Sequence, residues 1–524
     1  MSGGVVPRAP VEDGAVTAVP PLREAGRVLA DNRERLRLYG RILADRDWGD
    51  LQREARRSAV EAARAYMSRR SEPVPDAGGE HLLMAGHQPE LFHPGVWVKN
   101  FALNGLARRH GLTPINLIVD NDTVKTTALR LPTRAAVESA HPHAVSEPFD
   151  RWTGESPWEE HGVADSVLFA GFADRAGAVL RDWDYAPMLP AFWAEVRREA
   201  GHTPLLGECF AAARRTYERR WGCHNLELPV SVLCQTEPFA WFAAHLLAEL
   251  PRFHAAYNDC VHDYRRRHGI RSRNHPVPDL AEEDGWLEAP FWGWRAGAAR
   301  RGRLFARAHS NRIEIRIDSD IWPALSARDP AADWTERERR GMKVRSRALT
   351  NTLFARLFLS DLFIHGIGGG KYDELTDDLI RRFYGVEPPE FLILSATRLL
   401  PLPAVMVGSE DRRRVARELR DVYWNPQRYL PADPTGARRE AIAHKKALIL
   451  QEPTDAAARR ARFEALRAVT AALRAPLAGR EVELHAERDR TDRALEANAV
   501  LHRRDYAFCL YPEDLLRPFC TQFL

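Results

Sequence analysis

The stretch "HLLMAGHQPELFHPGVWVKNFALNGLARRHGLTPINLIVDND" (His81–Asp122) decides how the rest of the chain is read. "HLLMAG" is a short apolar run bounded by polar residues, the mark of a buried strand. "VWVKNFALNGLARRHG" has helical spacing, with Val98, Phe101, Ala102, Gly105 and Leu106 on one face and Gly111 as a stop. "PINLIVD" (Pro114–Asp120) is a second apolar strand. Strand, helix and strand in that order predict a right-handed crossover and two neighbouring parallel strands.

In an open parallel sheet, ligands bind beyond the carboxyl ends of the strands. Gly86-His87-Gln88-Pro89 follows the first strand, and Asp120-Asn121-Asp122 follows the second. Both loops are expected to open on one crevice, with His93 and Lys99 nearby. His87, Asp120 and Asp122 are the candidate catalytic groups, and Gln88, His93, Lys99 and Asn121 candidate substrate contacts. A lone histidine in such a place is more often a capping or core residue. Two histidines and an amide within seven residues, directly after a strand, favour a site. Asp122 alone reads equally as a turn or helix cap.

A second α/β unit is legible further on. "LFIHG" reads as a strand, "GIGGGK" (Gly366–Lys371) as a glycine loop, "KYDELTDDLIRRFYG" as a helix starting near Lys371, and "FLILSA" as another strand. Lys371 is followed by Tyr372, so a nucleotide-binding P-loop of the G-x-x-x-x-G-K-[ST] type is excluded. A glycine loop opening a helix can still offer N–H groups to an anion; a merely tight turn is the alternative. His365, Gly366, Gly368, Gly369, Lys371 and Tyr372 join the candidates.

The chain has 524 residues, 45% hydrophobic and 28% charged, enough for several domains. A net charge of +4, with arginines interleaved among acids, argues against a nucleic-acid partner. Six cysteines without a CxxC pair suit a reducing compartment, and neither a signal sequence nor a membrane-length apolar run is evident. A cytoplasmic protein without a membrane partner, a metal centre or disulfides is expected. Residues 1–22 read as a loose tail, 23–70 as helical and 71–80 as a linker. The core is expected over 81–140 and 341–405. Residues 141–340 read as a mixed insertion or second lobe, with a hairpin turning at Ser310-Asn311, and 406–524 as a helical C-terminal region.

Two segments resemble the cysteine-adding enzyme family of bacillithiol biosynthesis. "GHQPELFHPG" is similar to that family's G-Q-Q-P-G-L-F-G-G-P segment, agreeing at Gly86, Gln88, Pro89, Leu91 and Phe92. The Arg345–Pro401 stretch is similar to its R-P-x-x-Q…Y-I-G-G-P-G-E-I-A-Y segment, agreeing at Arg347, Ile364, Gly366, Gly368 and Tyr372. The family's acidic turn falls on Asp120-Asn121-Asp122. His87 stands where the family has glutamine, His365 where it has glycine, and Gly369 where it has glutamate. The resemblance implies a Rossmann-like core related to class I nucleotidyltransferases and a helical C-terminal region that pairs subunits as a coiled coil. It implies ligation of an amino acid to a small anionic conjugate, and adds Arg347 to the substrate contacts. ATP or another nucleotide is a candidate cofactor. The alternative is a non-catalytic nucleotide- or thiol-binding protein on the same fold.

Overall fold

Each parallel strand of the central sheet is apolar on both sides, and that dictates a layer of helices on either face. Leu82 and Met84 turn to one face, Leu83 and Ala85 to the other, and all four are fully buried. The computed structural model describes residues 7–524, apart from 41, 44–45, 77–78, 134–143, 182, 299, 327–328, 404–406 and 432–435. On the first face, Leu82, Met84, Ile115 and Leu117 pack with Ala55, Ala59 and Ala63 of the helix Trp48–Arg69. On the second, Leu83, Ala85, Ile364 and Leu394 pack with Ala102, Leu103 and Leu106 of the helix Pro94–His110, and with Val28 of the helix Ala25–Leu38.

The sheet has six strands. In spatial order they are Leu226–Pro229, Thr113–Ile118, Leu82–His87, Leu362–His365, Leu392–Ala396 and Val16–Val19. The first five are parallel and the edge strand Val16–Val19 is antiparallel. Chain order runs outward in one direction from Leu82–His87 to Leu226–Pro229. It resumes on the other side at Leu362–His365, so the order reverses between these two strands.

Three elements differ from the sequence reading. Val16–Val19 is a strand rather than part of a loose tail: a four-residue run set among prolines and glycines carries no periodicity to betray it. Leu226–Pro229 belongs to the central sheet although it lies within the stretch read as an insertion. It is short and carries the buried Glu227, whose partners Arg214 and Arg215 are supplied by the helix Leu206–Arg220. The glycines are not a loop before a helix. Gly366 is the N-cap, and Ile367–Leu379 is already helical, four residues ahead of Lys371.

A second, antiparallel sheet runs Asp320–Ser326, Arg312–Ile317, Gly302–Ala308, Trp286–Arg295 and Met342–Ser346. The expected hairpin is present: Ala308 pairs with Ile313, and His309 N–H donates to Arg312 O across Ser310-Asn311.

The chain divides into two compact units. One comprises Met1–Arg130, Ser146–Leu400 and Arg504–Leu524 and holds both sheets. Its last helix, Glu513–Thr521, packs on the helix Pro94–His110, and Phe523 presses so closely on Gly105 that a Cβ there would strike the Phe523 carbonyl. The other unit comprises Leu131–Val145 and Pro401–Arg503. It contains the helices Ser409–Trp424, Gly436–Leu450, Ala456–Arg474 and Ala478–Leu501, with Val415, Val422, Leu473 and Leu484 buried and Leu450, Phe463 and Val482 exposed. No helix among the described residues is long and apolar enough to cross a membrane. All six cysteines are free and buried.

Candidate functional site

The reversal of strand order places the ends of Leu82–His87 and Leu362–His365 side by side, and the two helices that follow them both begin there. The first, Pro94–His110, opens with proline and is capped by His93, whose Nδ1 accepts from Gly95 N–H at 3.1 Å. Gly95 is required: a Cβ would meet the Ala396 carbonyl and lie 2.9 Å from Arg504 Nη2. Arg504 in turn donates to Ser395 Oγ (3.1 Å) and Ala396 O (2.9 Å) at the end of the next strand. The second helix, Ile367–Leu379, has no side-chain cap hydrogen bond at Gly366, and the first N–H groups of a helix have no partner within it.

Lys99 lies one turn into the first helix and reaches the start of the second. Its Nζ is 3.6 Å from the point a Gly366 Cβ would occupy. The side chain is 5% exposed and has no hydrogen-bond or ion-pair partner among the described residues. Burial alone lowers its pKa to about 8. A buried cation without a counter-ion is costly, and such groups are kept where a ligand supplies the missing charge. Burial, then Arg504 and Lys99, also lower His93 to about 4, so it is a neutral cap.

His87, a candidate catalytic group from the sequence, does not sit as an acid–base residue. Its ring is 8% exposed and packs edge-on against Phe92, with ring centroids 4.3 Å apart. Asn100 Nδ2 donates to Glu218 Oε1 at 2.7 Å, which turns Asn100 Oδ1 toward His87. Nε2 faces that oxygen at 3.0 Å and Nδ1 faces the Gln88 carbonyl at 3.2 Å; both oxygens only accept, so the neutral ring donates to one of them at a time. Burial, then the charges of Lys99 and Arg214, push the His87 pKa down to about 3. It is a neutral, internally committed ring that links the loop to the buried Arg214–Glu218 pair.

The acidic turn lies beside this loop. Gln88 Nε2 donates to Asp122 Oδ2 at 3.0 Å, and Asp122 Oδ1 accepts from Thr123 N–H (2.8 Å) and Arg301 (3.2 Å). Asn121 Nδ2 donates to Ser346 O at 2.7 Å. Arg301 and Arg347 flank the Trp292 ring at 4.8 and 4.1 Å, and Arg347 pairs with Glu288 at 2.6 Å. Asp122, Gln88 and Asn121 thus tie the central sheet to the antiparallel one. Asp120 points elsewhere. It accepts from Ser231 N–H (2.9 Å) and Ser231 Oγ, and lines a cavity of about 330 Å³ between the two sheets. Burial, then Glu159, push its pKa up to about 7.

At the glycine segment, Gly369 and Gly370 are needed for packing: a Cβ would come within 2.9 Å of His365 Nδ1 at the first and strike Ile393 at the second. Gly368 faces open space. His365 is buried with its Nε2 2.7 Å from Asp373; burial alone would raise that carboxyl, but His365 and Arg356 hold it well below the usual range. Lys371 is exposed, and the Tyr372 ring lies 6.4 Å from that of His275. Among the described residues no cluster of three His, Cys, Asp or Glu side chains is arranged to hold a metal.

Sequence reasoning missed Arg301, Arg504, Ser231 and Glu159. Ser231 follows the strand Leu226–Pro229, so recognising that strand would have found it; the others carry no local signal. No protein-family model matches the chain, and no curated protein sequence matches it.

Proposed function

We propose that the chain is a ligase-like enzyme, similar to the cysteine-adding enzymes of bacillithiol synthesis, that joins the amine of an amino acid to a small anionic conjugate. The core is read as Rossmann-like and related to class I nucleotidyltransferases. Five parallel strands whose order reverses between Leu82–His87 and Leu362–His365 support that reading, because such reversals are where open α/β sheets bind ligands. The single observation that carries the proposal is Lys99: a buried ammonium, unpaired among the described residues, beside the uncapped N-terminus of Ile367–Leu379. Together they make a seat for a phosphate or carboxylate.

The chemistry would run as acyl transfer. The amine lone pair attacks the acyl carbon, the C–N bond forms, and the bond to a phosphate or nucleotide leaving group breaks. ATP or another nucleotide would supply that activation. Lys99 and the helix N–H groups hold the negative charge. The amine proton passes to a carboxylate, and Asp120, with a pKa near 7, suits that role better than His87.

The test is titration calorimetry with ATP, pyrophosphate and inorganic phosphate, followed by an assay for amino-acid-dependent phosphate release. Saturable binding that Lys99→Met removes supports the site, and release supports the ligase. Failure of all three anions to bind ends the proposal. Binding without release favours the second reading, a non-catalytic binding protein on the same fold. The internal commitment of His87, Gln88 and Asp122 is the observation that speaks for it.

A further inference from the structure

The chain has six lysines, and five of them are paired, hydrogen-bonded or exposed. Lys125 pairs with Glu155, and Lys343 with Glu159 and Glu160. Lys445 is buried but donates to Trp424 O and to Gln427 Oε1. Lys371 and Lys446 are exposed. Lys99 alone is both buried and without an acceptor among the described residues. Its Nζ lacks a partner yet is not among the partnerless polar atoms sealed from solvent, so part of the small exposure of the side chain is at its tip.

The surroundings of that tip favour a free amine over an ammonium. Burial is the whole cause of its lowered pKa, and no carboxylate acts on it. The titratable rings that feel its charge, His87 and His93, are themselves neutral. Arg504 adds positive charge at the start of the same helix, 2.9 Å from the point a Gly95 Cβ would occupy. An amine taken out of water and set near other cations is the arrangement that makes lysine a nucleophile toward a carbonyl carbon. Its partner must also bring negative charge. The tip lies 3.6 Å from the point a Gly366 Cβ would occupy, at the uncapped, positive end of Ile367–Leu379. So short a separation suits an anion one bond away from the reacting carbon, and a 2-oxo acid has that form.

We propose that Lys99 is a covalent binding residue that forms an imine with a small 2-oxo acid, whose carboxylate lies against the N-terminus of Ile367–Leu379. The Nζ lone pair attacks the carbonyl carbon and the C–N bond forms. The two amine protons pass to the carbonyl oxygen, which leaves as water, and a C=N bond remains. No oxidant, reductant or further reactant is consumed. The inference shares the anion seat of the ligase reading but needs no nucleotide, no amine substrate and no turnover. An adduct without phosphate release therefore counts against the ligase alone, and anion binding without an adduct counts against the imine alone.

The full chain is incubated with glyoxylate or pyruvate at about pH 8, the imine is fixed with cyanoborohydride, and the modified lysines are located by peptide mass mapping. At that pH about half of Lys99 is neutral, against well under a hundredth of an ordinary lysine. Lys99 should therefore be labelled about ten- to hundredfold faster than the exposed Lys446, an internal reference read on the same folded molecules. Acetaldehyde has the carbonyl without the anion. With it the ratio of Lys99 to Lys446 labelling should fall about tenfold or more, the value of one charged contact. Lys99→Arg keeps a cation and should lose the fast adduct from the intact-protein mass, which separates it from labelling of the chain's terminal amine. The inference is overturned if Lys99 is labelled no faster than Lys446, if acetaldehyde gives the same ratio as glyoxylate, or if the fast adduct survives in Lys99→Arg.

Discussion

Replacing Lys99 by methionine should make the protein more stable and less able to bind its ligand. The side chain is buried, and burial alone takes its pKa from 10.5 to about 8. At about 1.36 kcal/mol per pH unit, keeping the ammonium charged inside the fold costs about 3 kcal/mol at neutral pH. The folded pKa lies below the unfolded one, so between about 8 and 10.5 the unfolded chain binds more protons than the native state. Stability from this group accordingly rises with pH across that window and is lost as pH falls through it. Methionine fills a similar volume without the charge. Lys99→Met should therefore unfold at higher denaturant concentration than the wild type at pH 7, by about 3 kcal/mol, and the advantage should fade as pH rises from about 8 to 10.5. In parallel, phosphate or pyrophosphate binding should weaken about ten- to hundredfold, the contribution of one charged contact. Paired urea titrations at several pH values, with calorimetry at pH 7, read both effects. A Lys99→Met protein that is less stable at pH 7, or that binds these anions like the wild type, would refute the reasoning.

Four other outcomes are expected. The Asp120 pKa is raised from 3.8 to about 7, so its contribution to stability is present below about pH 4 and lost as pH rises through 7; Asp120→Asn should be more stable than the wild type near pH 8 by roughly 1–3 kcal/mol, after allowance for solvent screening, and equal to it below about pH 4 in thermal melts. His87→Ala should cost about 2–4 kcal/mol by leaving Asn100 Oδ1 without its partner and a void beside Phe92, whereas His87→Gln, which keeps a donor, should cost less; equal denaturation midpoints for all three proteins would show that the ring is not structural. Gly370→Val should destabilise by about 1–3 kcal/mol through its clash with Ile393, while Gly368→Val should fold normally and lose only anion binding; the two are compared by melting and calorimetry. If the helical unit pairs subunits, as the resemblance implies, its exposed Leu450 and Phe463 are among the apolar contacts available, and Leu450→Glu with Phe463→Glu should shift a dimer to monomer in sedimentation velocity.

The first crossover was legible because each of its signals is local. Leu82–Ala85 are buried on both faces, and Gly111 ends the helix in the left-handed conformation at φ 67°. The strands that escaped notice owe their place to distant partners. Val16–Val19 exists as a strand because Leu392–Ala396 offers it a ladder, and Leu226–Pro229 hides a carboxylate that Arg214, Arg215 and Asn116 make tolerable. The candidate site divides in the same way. Lys99, Gly366 and Asp120 stand at strand ends and helix starts, where topology alone points. The role of His87 depends on Asn100 and, through it, on Glu218, whose orientation no spacing in the sequence records. Arg301 and Arg504 come from loops whose only claim on the site is that folding brings them there.

The contact between Phe523 and Gly105 has a consequence for the order of events in synthesis. The helix Pro94–His110 is made early, yet part of its surface is covered only by Glu513–Thr521 and the residues after it. Everything in Pro401–Arg503 must leave the ribosome before that cover arrives. A nascent chain stalled before Arg504 would carry the first crossover with this flank bare, the kind of apolar surface that chaperones hold. The inserted helices therefore set a delay between the start and the completion of the core, and lengthening or deleting them would change how long the unfinished core waits.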